Sequence, residues 1–189
     1  IAILFFMLII SYTVLAGTTP DAATLNIIYA NLFVTFFAVM AGMIGGPTVG
    51  FSVGFLSMFA SDAAFFGVGS WTLATSSSMG LVGIMGGLLW FGRGNKFPSR
   101  LELGVLGYLM TLAYDLLTSL LNLPLLLHIL YDAPATTMYA VLSIVLGLFS
   151  PLGGFLWPAG IAHELVTAIL LALAAPQIMK RIRPVKREF

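Results

Sequence analysis

At 189 residues the chain has the length of a single soluble domain, yet 60% of it is hydrophobic, only 8% is charged and the mean hydropathy is +1.07. So few charges cannot solvate a 20.2 kDa globule, and a net charge of +1 gives no polyanion footprint, which sets aside soluble enzymes and nucleic-acid binders. No cysteine is present, so disulfide frameworks, thiolate metal sites and cysteine nucleophiles are excluded as well.

The apolar residues fall in continuous runs rather than in the short alternating stretches of a membrane barrel, so the chain reads as an all-α integral membrane protein. Taken in order, the runs cover about 1–17, 25–44, 48–66, 76–92, 101–122 and 159–179, each near the roughly 20 residues that cross a bilayer. Ile1 opens the first run with no basic residues ahead of it, unlike a cleaved signal peptide. Gly17 to Asp21 and Gly45-Gly46-Pro47 are short turns. A semi-apolar stretch at 136–156 decides whether there are six spans or seven. The basic residues sit in one loop, Arg93, Lys96 and Arg100, and in the tail from Lys180 to Arg187. Six spans put both groups on the cytoplasmic side, together with the N and C termini. The expectation is therefore a six-transmembrane-helix bundle forming one membrane domain, with 136–156 as an external or re-entrant helix interrupted by Pro151 and Pro158.

Ionisable groups at membrane depth are costly, so Asp62, Asp115, His163 and Glu164 are candidates for function. Counted at 1.5 Å per residue from the cytoplasmic ends of their spans, Asp62 and Asp115 lie about 21 Å up. His163 and Glu164 open the last span as it descends from outside, so all four converge on the external third. The fifth run carries Gly104, Tyr108, Thr111, Asp115, Thr118 or Ser119, and Asn122 at helical spacing, a polar stripe that must face the bundle. Two accounts fit it: hydrogen-bonded glue between helices, or the wall of a ligand site. Trp71, Tyr114 and Trp157 reach the same depth, as an interfacial belt or as an aromatic cage. Gly42, Gly46, Gly50 and Gly54 recur every four residues, as do Gly83 and Gly87. Such spacing packs helices tightly within one chain or docks a partner, with Gly46, Gly50 and Gly54 as the candidate docking stripe.

Catalytic signatures are lacking. His163-Glu164-Leu165-Val166-Thr167 begins like a zinc hydrolase motif, but Thr167 stands where the second His is required. No serine elbow or phosphate-cradling glycine loop occurs, so neither enzymatic chemistry nor a cofactor is expected.

The run Gly46-Pro47-Thr48-Val49-Gly50-Phe51-Ser52-Val53-Gly54-Phe55-Leu56-Ser57 is followed by a Gly-Trp loop and a glycine-rich span ending in a basic loop. With Tyr114-Asp115-Leu116-Leu117-Thr118-Ser119 and the span from His163 to the tail, it resembles the substrate-binding S components of energy-coupling factor (ECF) transporters over about residues 27–183. The resemblance implies a six-helix vitamin-capture subunit in the plasma membrane of a prokaryote. Its expected partners are a transmembrane coupling subunit, two cytoplasmic ATPases and the lipid bilayer. The implied substrate-binding set is Asp62, Trp71, Tyr108, Tyr114, Asp115, Asn122, Trp157, His163 and Glu164. One departure is that the Ala-x-x-x-Ala coupling motif common in the first span is missing, since Ala2 is followed four residues later by Phe6. Three acids without an external Lys or Arg favour a cationic or hydrogen-bond-donating ligand, thiamine-like or its pyrimidine precursor, over a carboxylate. Cobalamin and riboflavin stay open, while two His residues argue against nickel or cobalt. The alternatives are a non-transporting scaffold resembling the rod-shape subunit and an autonomous ion-coupled carrier.

Overall fold

A computed structural model describes residues 22–65, 67–91, 98–121 and 161–182, which form five helices and no strand. These are α1 (Ala22–Gly45), α2 (Pro47–Phe65), α3 (Ser70–Phe91), α4 (Arg100–Leu121) and α5 (Ile161–Ile182). The expected runs at 1–17 and 136–156 lie outside the described residues, as do Asn122, Trp157 and both chain ends. Among the described residues, α3, α4 and α5 are each long and apolar enough to cross a membrane, as a membrane protein requires. In α2, Pro47, Asp62 and several Ser and Gly residues are interspersed among the Phe and Val positions.

Local chemistry sets the helix ends. Gly46 is the whole connection between α1 and α2: its φ of 90° lies in the left-handed region that glycine adopts without steric penalty. Its N–H donates to the Gly42 carbonyl at 2.9 Å, and Pro47 follows at the first helical position, where the missing N–H does no harm. At α4, Ser99 and Glu102 form a reciprocal capping box. The Ser99 N–H donates to Glu102 Oε2 at 2.7 Å, and the Glu102 N–H donates to Ser99 Oγ at 3.2 Å. Helix α3 starts at Ser70, six residues before the expected apolar run, with the Gly69 N–H bonded to Thr72 Oγ1 at 3.0 Å.

The helices pack as a trio and a pair. In the trio, Gly42 of α1, Gly50 of α2 and Gly83 of α3 meet backbone to backbone, so that a Cβ on Gly50 would strike both of the others. Gly87 lies against Gly46 and Pro47, and Gly54 against the Met79 carbonyl. The small-residue spacing therefore closes the chain on itself. Gly46, Gly50 and Gly54, the expected docking stripe, are buried against the chain's own helices. In the pair, Gly107 of α4 rests on Ala168 and Leu171 of α5, and Gly104 faces Ala168 and Ala172, so the two helices run antiparallel. Between trio and pair lies a methionine-rich core that includes Met40, Met43, Met58, Met79, Met110 and Met179 with Val39, Leu103 and Leu171. Met fills irregular gaps between surfaces that do not interdigitate closely.

This arrangement gives the bundle two chemically distinct ends. Arg100 at the start of α4 and Lys180 and Arg181 in the last turn of α5 are exposed at one end, the latter two beside the negative end of the helix dipole. At the other end, α2 closes, α3 opens, α4 closes and α5 opens, and there the buried acids gather.

Candidate functional site

The polar stripe of α4 faces the bundle. Thr111, Asp115 and Thr118 are buried together with Leu103, Gly107, Met110 and Tyr114, while Leu101, Val105, Leu109, Leu116 and Leu120 are exposed on the opposite face. Antiparallel packing of α4 on α5 then carries Asp115 to the first turn of α5, where His163 and Glu164 are both buried.

His163 is the hub. Its Nδ1 stands 3.5 Å from Asp115 Oδ1, an ion-pair separation, and its Nε2 lies 3.1 Å from Thr35 Oγ1 of α1. The Tyr114 ring meets the imidazole edge-on, with centroids 6.1 Å apart and planes at 88°, and the Tyr114 hydroxyl donates to Met58 Sδ of α2 at 3.7 Å. One side chain on α5 thereby touches α1 and α4, and reaches α2 through Tyr114.

Asp62 belongs to the same end but has its own partner. Its Oδ2 is 2.5 Å from Thr75 Oγ1 on α3, and that hydroxyl also lies 3.1 Å from the carbonyls of Trp71 and Thr72. Asp62 is within electrostatic reach of Tyr114, which joins this contact to the His163 cluster. Trp71 is half-buried in the first turn of α3, with its ring folded over Gly69, where any side chain would collide with it.

Glu164 has no exposed surface, and among the described residues neither of its carboxyl oxygens has a hydrogen-bond partner; the same holds for Asp115, but Asp115 has His163 beside it and Glu164 has no ion pair. Tyr108, half-buried on α4, approaches it without reaching hydrogen-bonding geometry, and Asp115 and His163 lie in electrostatic reach. Thr167, one turn along α5 from Glu164, is likewise fully buried with its hydroxyl unpartnered.

Six of the nine expected binding residues are thus at one end of the bundle, Asp62, Trp71, Tyr114, Asp115, His163 and Glu164, and Tyr108 lies nearer the middle of α4 within electrostatic reach of Glu164. Asn122 and Trp157 fall outside the described residues. Sequence reasoning missed Thr35, Met58, Thr75 and Thr167. Thr35 had a usable signal, being a lone hydroxyl inside Leu32-Phe33-Val34-Thr35-Phe36-Phe37-Ala38. Thr75 was hidden in a Thr-Ser run, and Met58 resembles any core residue. Among the described residues, no three His, Asp or Glu side chains come together as a metal site. The arrangement offers carboxylate acceptors, one imidazole and aromatic edges, a set suited to holding a polar or cationic molecule. Comparison of the chain with protein-family models, with curated proteins and with solved structures gave no match.

Proposed function

We propose that the protein is a substrate-capture subunit of the ECF S-component kind, in the plasma membrane of a prokaryote. It binds a water-soluble vitamin or precursor, thiamine-like in charge and hydrogen bonding, and delivers it in association with a transmembrane coupling subunit and two cytoplasmic ATPases. It performs no chemistry on the ligand. The observation that carries this reading is the convergence of Asp62, Asp115, His163 and Glu164 from three helices on the end opposite Arg100, Lys180 and Arg181, with both Glu164 oxygens unpartnered. Buried polar groups in a bundle are ordinarily satisfied by their neighbours, and one left over is a place for a ligand to bind.

The glycine stripe that a scaffold would offer to protein partners is covered by the chain's own α3, which weighs against the scaffold alternative. Native mass spectrometry of the detergent-purified protein tests capture directly. The expected result is a vitamin-sized adduct released on denaturation. A bare spectrum, together with no thermal shift against a vitamin panel, would sink the reading. Uptake into liposomes by this chain alone, abolished by an uncoupler, would replace it with the ion-coupled carrier.

A further inference from the structure

The three buried acids are not equivalent. Asp62 is engaged by the Thr75 hydroxyl, and Asp115 faces the His163 imidazole at 3.5 Å. Neither Asp115 oxygen accepts a hydrogen bond, but Oδ1 has the imidazole beside it; among the described residues the Glu164 oxygens have neither a hydrogen bond nor an ion pair, with the Tyr108 hydroxyl the nearest approach, although an unpaired buried carboxyl is costly to maintain. Its neighbour Thr167 repeats the pattern. Ser78 on α3 and Thr111 and Ser119 on α4 donate to the carbonyl four residues back, at 2.8, 2.8 and 2.6 Å. Thr167 is equally helical and fully buried, but its hydroxyl makes no such bond. Two neighbouring positions on one face of α5 therefore hold acceptor capacity that the described residues do not use.

A carboxylate with both oxygens open is matched by a planar cation that presents two parallel N–H groups, each donating to one oxygen. A spherical or quaternary cation would satisfy its charge and leave its lone pairs unpaired. We propose that Glu164 is the ligand-receiving carboxylate and that the ligand offers it an amidine-type fork: an amidinium, a guanidinium or a protonated ring nitrogen beside an amino group. The Thr167 hydroxyl supplies an adjoining contact, and Asp62 serves to join α2 to α3. This inference rests on the capture reading and names the chemistry of its substrate.

The test uses the detergent-purified full chain and two monovalent aromatic probes of similar size, benzamidine and benzyltrimethylammonium. Benzamidine raises the melting temperature with increasing concentration, and the quaternary ammonium does not. Glu164→Gln weakens benzamidine binding by about 10- to 100-fold, because one acceptor becomes a donor facing a donor, and Thr167→Val weakens it by about 2- to 10-fold. Glu164→Gln without ligand melts at a higher temperature than the parent protein, since an unpaired buried carboxyl has been removed. A residue with only a structural role would shift the other way. Equal stabilisation by both probes, or a ligand-free Glu164→Gln that melts lower, overturns the fork. A molecule of another class that binds when benzamidine does not also overturns it while leaving capture standing. If no compound shifts the melting temperature and no adduct is found, the capture reading falls and the fork falls with it.

Discussion

The trio α1–α2–α3 and the pair α4–α5 differ in what dominates their contacts. In the trio, contact is made by absent side chains: Gly42, Gly50 and Gly83 bring three backbones together, and even a methyl group has no room. In the pair and its junction with the trio, the small-residue and methionine contacts are joined by polar side chains, through the chain Thr35, His163 and Asp115 with Tyr114 and Met58 beside it. Backbone packing is tolerant of chemistry and intolerant of volume. Polar packing is the reverse, because substitutions can keep the shape and still strand a buried donor or acceptor. The two kinds of contact share helices but sit at different levels, the glycines Gly42, Gly50 and Gly83 toward the Gly46 turn and the polar contacts toward the end where the buried acids gather.

Four substitutions separate the two regimes, each read by thermal unfolding in detergent. The largest effect is expected for Gly83→Ala, whose Cβ meets the Gly50 carbonyl and Cα, atoms that cannot move aside without shifting a helix. A loss of about 3 kcal/mol is expected, at the upper end for overpacking. His163→Ala removes the partner of Asp115 and one contact of Thr35, and a loss of about 2 kcal/mol is expected, with faster hydrogen exchange in α4 and α5 than in α1 to α3. Thr75→Val keeps the shape of α3 and removes the Asp62 partner, a loss of about 1 kcal/mol. Gly104→Ala is the control: its Cβ would sit at an ordinary 3.6 Å from Ala172, and better helix propensity raises stability by about 0.5 kcal/mol. If Gly104→Ala were as damaging as Gly83→Ala, the distinction between the regions would collapse.

Hydropathy made the trio and pair legible as helices, because runs of Leu, Val and Phe at 25–44, 48–66, 101–122 and 159–179 correspond closely to α1, α2, α4 and α5. It misplaced the start of α3 for a physical reason. Trp71 to Ser78 looks like a polar loop, but in a helix Thr75 and Ser78 can turn their hydroxyls onto carbonyls of the preceding turn. The polar stripe of α4 was readable because period and polarity coincide over five turns. The partners of that stripe were not readable, since nothing local in Thr35 or Met58 states which distant helix it will face. The same holds for the glycines, whose spacing announces a close approach without saying whose backbone approaches. Asp62, Asp115 and Glu164 look alike in sequence. Only neighbours 13 or more residues away, such as Thr75 for Asp62, divide them into engaged and unengaged acids.

The single-residue turn at Gly46 bears on how the protein sits in the bilayer. With its N–H bonded to Gly42 and its carbonyl accepting from the Gly50 N–H at 3.0 Å, the turn needs no water to satisfy its backbone. No polar loop separates α1 from α2, so the depth and direction of one helix in the bilayer fix those of the other.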